Sequence, residues 1–261
     1  MRIAFFDSGL GGITVLSEAI DRMPQEDWLY YADTLHVPYG PKPMEQVKGF
    51  ILDAVEAIMR QEVKALVIAC NTATSIAIGE LRRLYPHIPI IGMEPAVKPA
   101  VEMNRPTGRR VLVLATQLTL QLTKYQELVG RVDDMSIVDS LPLPELVQYC
   151  EALNFDETEL PEYFHRKLAS YKLEEYGTIV LGCTHYPFYK RMLERILPTH
   201  LSIIDGSRGT VKRLQEQLAR FDLVEGGAPE GRGTIRFLCS GGEEAYIRKM
   251  QQALELYRSI Q

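Results

Sequence analysis

One short pattern occurs twice in this chain, and it narrows the possible folds sharply. Leu66-Val67-Ile68-Ala69-Cys70-Asn71-Thr72 and Ile179-Val180-Leu181-Gly182-Cys183-Thr184-His185 each run from apolar residues through a small residue to a cysteine and a polar pair. A run of four or five apolar residues bounded by polar ones reads as a buried strand. Strands alternating with helical segments give an α/β fold with a mainly parallel sheet. The cysteine then stands at the carboxyl end of its strand, where open sheets of this class bind ligands.

The rest of the chain fits between these two anchors. Residues 2–6 predict a buried strand, 7–12 a glycine-rich turn and 13–20 an amphipathic helix. Such a turn can offer backbone N–H groups to an anion, although it lacks the G-x-G-x-x-G spacing of a dinucleotide site. Residues 28–33 predict a second strand. Residues 36–43 hold three prolines and cannot be regular. They form a rigid loop with Tyr39 and Gly40 at its centre, either a connector or a ligand-side wall. Val47, Phe50, Ile51, Ala54 and Ile58 recur at helical spacing within 44–61, which reads as a helix with a core stripe. A helix over 71–84, a strand over 88–93, a crossing at 94–99 and a helix to about 104 follow.

Residues 108–116 restart the pattern of residues 1–8. A helix from 116 to about 129, a strand at 135–139, a rigid turn at 142–144 and helices over 145–153 and 159–175 lead to the second cysteine strand. Beyond it come a helix over 188–196, a strand at 201–206 and a helix at 209–221. A mobile linker at 226–231, a strand at 234–239 and a closing helix over 243–259 complete the chain, returning it to the first lobe. Asp7 and Thr116 are 109 residues apart, and the two cysteines 113. Near-equal offsets of this kind point to an internal duplication. The expected fold is therefore α/β: two pseudo-symmetric doubly wound lobes with mainly parallel sheets and the active site at their interface. The expected boundaries are 1–95 plus 210–261 for the lobe carrying Cys70, and 96–209 for the lobe carrying Cys183.

Composition removes several function classes. A net charge of −5 gives no general attraction to nucleic acid or anionic membrane. No stretch reaches the roughly 18 apolar residues of a membrane span, and the apolar start is too short for a signal peptide, so a cytoplasmic protein is expected. The four cysteines lie far apart with neither C-x-x-C nor metal-ligand spacing.

Two thiols meeting one ligand from opposite sides suit inversion at a carbon that bears an acidic proton. One base removes the proton from one face, and a conjugate acid returns one on the other. The demand is severe, because a free thiol of pKa about 8.5 is only a few per cent thiolate at neutral pH. The site must stabilise both thiolate and carbanion. Helix N-termini after each cysteine strand are expected to supply partial positive charge. Asn71, Thr72 and Thr184 add donors, His185 can relay protons, and Asp7 is the matching helper beside Cys70. Cys150 and Cys239 lack this context and read as structural, while His36, His87, His165 and His200 read as surface or loop residues.

Four stretches together identify a resemblance: 6–12 (Phe-Asp-Ser-Gly-Leu-Gly-Gly), Tyr31-Ala32-Asp33 with Pro38-Tyr39-Gly40, 69–74 (Ala-Cys-Asn-Thr-Ala-Thr) and 181–187 (Leu-Gly-Cys-Thr-His-Tyr-Pro). The chain resembles the glutamate racemases of the cofactor-independent aspartate/glutamate racemase superfamily. The resemblance implies Cys70 and Cys183 as acid/base residues assisted by Asp7 and His185. It implies substrate contacts from Asp7, Ser8, Tyr39, Gly40, Asn71, Thr72, Thr116, Thr119, Thr184 and His185. It further implies no pyridoxal phosphate or metal, D-glutamate production for peptidoglycan, a bacterial cytoplasm and a homodimer. The chain departs from the family where Leu141-Pro142 replaces a Cys-Pro dipeptide. The family's auxiliary glutamate would then fall at Tyr149, with Glu145 and Glu151 as the nearest carboxylates, and Leu122 stands in place of a serine. Two other readings stand beside this one: a racemase of another amino acid such as aspartate, and a non-catalytic two-lobed amino-acid-binding protein.

Overall fold

The computed structural model describes residues 1–224 and 233–261; the linker expected at 226–231 lies outside the described residues. The first half runs β1 (Ile3–Asp7), α1 (Ile13–Arg22), β2 (Trp28–Ala32), α2 (Met44–Met59), β3 (Ala65–Ile68), α3 (Asn71–Leu84), β4 (Ile90–Gly92) and α4 (Val97–Asn104). The second runs β5 (Arg110–Ala115), α5 (Gln117–Gln121), α6 (Thr123–Val132), β6 (Val138–Pro142), α7 (Glu145–Glu151), α8 (Glu159–Leu168), β7 (Tyr176–Leu181), α9 (Lys190–Ile196) and β8 (Ser202–Asp205). Helix α10 (Ser207–Arg220), strand β9 (Ile235–Cys239) and helix α11 (Glu244–Ser259) follow.

Two sheets result, ordered β4-β3-β1-β2-β9 and β6-β5-β7-β8, with every pairing parallel. Leave out β9, and the two sheets have the same order: fourth, third, first, second strand of each half. That is the duplication expected from the equal offsets. β9 returns to pair with β2, and α1 packs against both α10 and α11.

Burial follows from the apolar runs. Every residue of β1, β2 and β3 is buried. Strands covered on both faces should read as continuous apolar stretches, as these do. Each buried Leu, Ile, Val or Phe contributes roughly 1.5–3 kcal/mol of transfer free energy, so the apolar side chains of the interior strands β1, β2, β3, β5 and β7 hold the strand ends in place.

Several expected elements differ in the structure. The single helix expected from 116 to 129 breaks at Leu122, which is extended (φ −71°, ψ 136°) between α5 and α6. Its side chain is 9% exposed, so tertiary burial of Leu122 overrides the local helical pattern. The strand expected at 135–139 is displaced to Val138–Pro142. Pro142 can end it because β6 is an edge strand. The helix expected over 159–175 stops at Leu168, and a separate 3-10 turn covers Leu173–Glu175.

Candidate active site

In each sheet the first strand lies between the second and third, so the crossovers leave it in opposite directions. Crevices open at such switch points, at the carboxyl ends of the strands. In the first sheet these ends carry Asp7 and Ser8 after β1 and Cys70 after β3. In the second they carry Thr116 after β5 and Cys183 after β7. The two crevices face each other. Ser8, Tyr39, Gly40, Cys70, Asn71, Thr72, Thr116, Thr119, Cys183, Thr184 and His185 all line one cavity of about 80 Å³. Asp7 is the expected residue that does not line it; this carboxylate lies behind the wall. A larger groove of about 650 Å³ lies elsewhere, between α4, α6 and α10.

Cys70 is the N-cap of α3, and its sulfur accepts from the Ala73 amide at 3.4 Å. It lies 4.0 Å from the Ser8 hydroxyl. Burial, and after it the negative charge of Asp7, pushes the Cys70 thiol well above its ordinary range. Cys183 has a different neighbour: its sulfur is 3.6 Å from Nδ1 of His185. The helix expected to follow it begins instead as a 3-10 turn at Tyr186–Tyr189. Positive charge on this side therefore comes from the imidazole more than from a helix terminus.

His185 is buried, and burial alone would lower its pKa. The Cys183 sulfur and the Glu151 carboxylate outweigh that and raise the imidazole well above its ordinary range. Glu151 is the last residue of α7. Its Oε1 lies 2.8 Å from His185 Nε2 and accepts from the Leu10 amide at 2.7 Å. Burial would raise this carboxyl, but His185, the Tyr246 hydroxyl and the Leu10 amide together hold it below its usual range.

Glu151 is thus the carboxylate that reaches the site. Glu145 turns away to Tyr163 (2.9 Å) and Lys167 (2.7 Å), and Tyr149 donates to Glu159 at 2.8 Å. The glycine-rich turn does bind an anion through its backbone, but that anion is a side chain of the opposite lobe. The glycines are sterically required there. A Cβ at Gly9 would lie 2.0 Å from Glu151 Oε1, and one at Gly11 would lie 2.4 Å from Thr184 Oγ1.

The lobes are joined by polar contacts around the cavity. Thr184 donates to Asp7 Oδ2 at 2.9 Å, and Thr14 donates to the Thr184 carbonyl at 3.1 Å. Burial raises the Asp7 carboxyl against the opposing pull of His185, the Gly9 amide and Thr184. Thr72 lies 2.8 Å from Thr119 and 3.3 Å from Thr116, so three hydroxyls meet across the crevice. Tyr39 donates to the buried carboxylate of Asp33 at 2.6 Å, which fixes the proline-rich loop as a cavity wall. His36, expected as a surface or loop residue, lies in that loop, 2.8 Å from Asp33, and stacks on Phe50. Asn71 is 2% exposed, and among the described residues neither its amide nitrogen nor its amide oxygen has a hydrogen-bond partner. Buried polar atoms are normally paired, so this amide is free for a ligand.

The region of the chain from residue 15 to 214 matches the family model described as Asp/Glu/Hydantoin racemase. A glutamate racemase of Halothermothrix orenii is 48% identical over 260 residues, covering 100% of both chains. The chain belongs to the Asp/Glu/hydantoin racemase family, among the glutamate racemases. Its fold is the two-lobed fold of these enzymes. The Francisella tularensis glutamate racemase in complex with D-glutamate superposes with a TM-score of 0.83 at 26% identity, covering 97% of this chain and 93% of that one. The Escherichia coli glutamate racemase, in complex with L-glutamate and an activator, gives 0.81 at 27% identity, covering 97% and 95%.

Pro144, Val147 and Gln148, which also line the cavity, escaped the sequence reading. The rigid turn at 142–144 was the available signal, since it aims α7 at the crevice. Among the described residues, no helix is long and apolar enough to cross a membrane.

Proposed function

We propose that this protein interconverts L- and D-glutamate, with Cys70 and Cys183 as the two acid/base groups. The observation that carries this reading is that both sulfurs line one cavity while standing on different lobes. In the resting form Cys70 keeps its proton, held there by burial and by Asp7. Cys183 acts as the base in this direction, with the His185 imidazole 3.6 Å from its sulfur. Cys183 takes the α-proton from one face. Cys70 delivers its own proton to the opposite face of the carbanion. One C–H bond breaks and another forms, and the thiols exchange protonation states.

Asn71 and the amides opening α3 hold a substrate carboxylate, as a helix N-terminus favours negative charge. Ser8, Tyr39, Gly40, Thr72, Thr116, Thr119 and Thr184 complete the binding wall. Asp7 acts through Thr184 and His185 through Cys183. No metal or pyridoxal phosphate takes part. The lobes divide at 1–95 plus 210–261 and 96–209, with α11 and β9 serving the first. A cytoplasmic homodimer supplying D-glutamate to peptidoglycan accords with the family.

The test is purified protein in chelated, cofactor-free buffer with single enantiomers of glutamate and aspartate. Optical rotation of either glutamate enantiomer is expected to decay to zero. Aspartate, one methylene shorter, is expected to react on the order of 10–200-fold more slowly. A constant rotation with glutamate bound would leave the binding-protein reading in its place. A preference for aspartate would move the substrate.

A further inference from the structure

Helix α11 lies on the first sheet's side of the molecule, yet one of its residues touches the acid/base wall of the other lobe. Tyr246, partly buried on its first turns, donates its hydroxyl to Glu151 Oε2 at 2.5 Å. Oε1 of the same carboxylate faces His185 at 2.8 Å and accepts from Leu10 at 2.7 Å. His185 in turn faces Cys183 at 3.6 Å. A line of contacts therefore runs from the closing helix through Glu151 and His185 to one sulfur. Each carboxylate oxygen has its own fixed partners, so the Glu151 plane has one favourable orientation.

We propose that Tyr246 is a positioning residue for the proton transfer at Cys183: it fixes Glu151 so that its other oxygen holds the His185 imidazole against the sulfur. The proposal rests on the two-thiol reading above. The contacts on the Cys70 side do not include Tyr246, so the two thiols are served unequally. The charged and titratable groups around this pair come from several elements. They are Asp7, Tyr30, Cys150, His185 and Tyr189 around Glu151, with Lys249 5.2 Å from the centre of the Tyr246 ring.

The sign of the pH effect follows from the donor. A hydroxyl that donates to a carboxylate favours its charged form. Without it, Glu151 takes up a proton at higher pH, and the charged pair with His185 is lost earlier on acidification. Tyr246→Phe keeps the ring and removes the donor. It is expected to lower kcat about tenfold with KM changed by less than about twofold, and to move the acid limb of kcat/KM to higher pH, because Glu151 loses a donor that favours its charged form. Replacing Tyr246 by 3-fluorotyrosine, a more acidic phenol of nearly the same size, is expected to move that limb downward. In a Glu151→Gln background, Tyr246→Phe is expected to add no further loss, since residues acting through one another are not additive.

An unchanged acid limb in Tyr246→Phe, or a loss of thermal stability alone, overturns the proposal. So does an equal loss in the presence and absence of Glu151→Gln. If Tyr246→Phe does not fold, the fluorotyrosine result decides. Failure of the two-thiol reading is separately visible, because Cys183→Ala would then still racemise glutamate.

Discussion

Cys183→Ala is expected to abolish glutamate racemisation, lowering kcat by at least about 10³-fold, within the range a positioned acid–base group supplies. Cys70→Ala is expected to do the same, for a different reason. Cys183 has the imidazole beside it at 3.6 Å, whereas Cys70 has Ser8 and Asp7 near it and is held protonated by burial. Removing one thiol leaves the other able to work on its own face. Each single variant should therefore still exchange the α-proton of one glutamate enantiomer with deuterium from solvent, without inverting it, and the two variants should choose opposite enantiomers. Mass spectrometry of each enantiomer recovered from D₂O reads this directly. Full racemisation surviving either substitution would remove the mechanism. Exchange of the same enantiomer by both variants would place the sulfurs on one face of the substrate.

The parts of this arrangement legible in the chain were those with local signatures. The strand ends and the order of elements follow from short apolar runs, and both cysteines could be chosen because polar residues follow each where apolar core would otherwise continue. The repeat offset even anticipated the matching strand order of the two sheets. What escaped depended on contacts between the lobes. Glu151 and Glu145 look alike in sequence, and only the rotation of α7 sends Glu151 to His185 and Glu145 to Lys167. The partner of the glycine-rich turn was equally hidden, since Leu10 and Glu151 are 141 residues apart. Leu122 broke an apparently continuous helix because its side chain is buried, which no local periodicity encodes. Tyr246 carries no motif at all; it matters only because β9 returns the chain to the first sheet and brings α11 with it.

Asn71→Leu is expected to stabilise the protein while it disables it. Both polar atoms of the Asn71 side chain are buried with no hydrogen-bond partner among the described residues, at the first residue of α3 and on the wall of the cavity. A buried unsatisfied polar group costs about 1–3 kcal/mol, and replacement by an apolar group of similar shape removes that cost. For a chain of this size about 1 kcal/mol corresponds to roughly 2–4 °C in Tm, so the midpoint of thermal unfolding without substrate should rise by several degrees. The same change deletes the amide offered to the substrate carboxylate. KM for glutamate should rise on the order of 100-fold, consistent with loss of one or two hydrogen bonds to a charged group. Added glutamate, which raises the Tm of the unaltered protein by binding only its folded state, should leave that of the variant unmoved. Asn71→Asp separates shape from chemistry: it keeps the outline, places a charge where a carboxylate must bind, and should lose activity with no gain in Tm. A leucine variant that unfolds earlier, or that keeps its KM, would mean that the amide serves the fold and not the ligand.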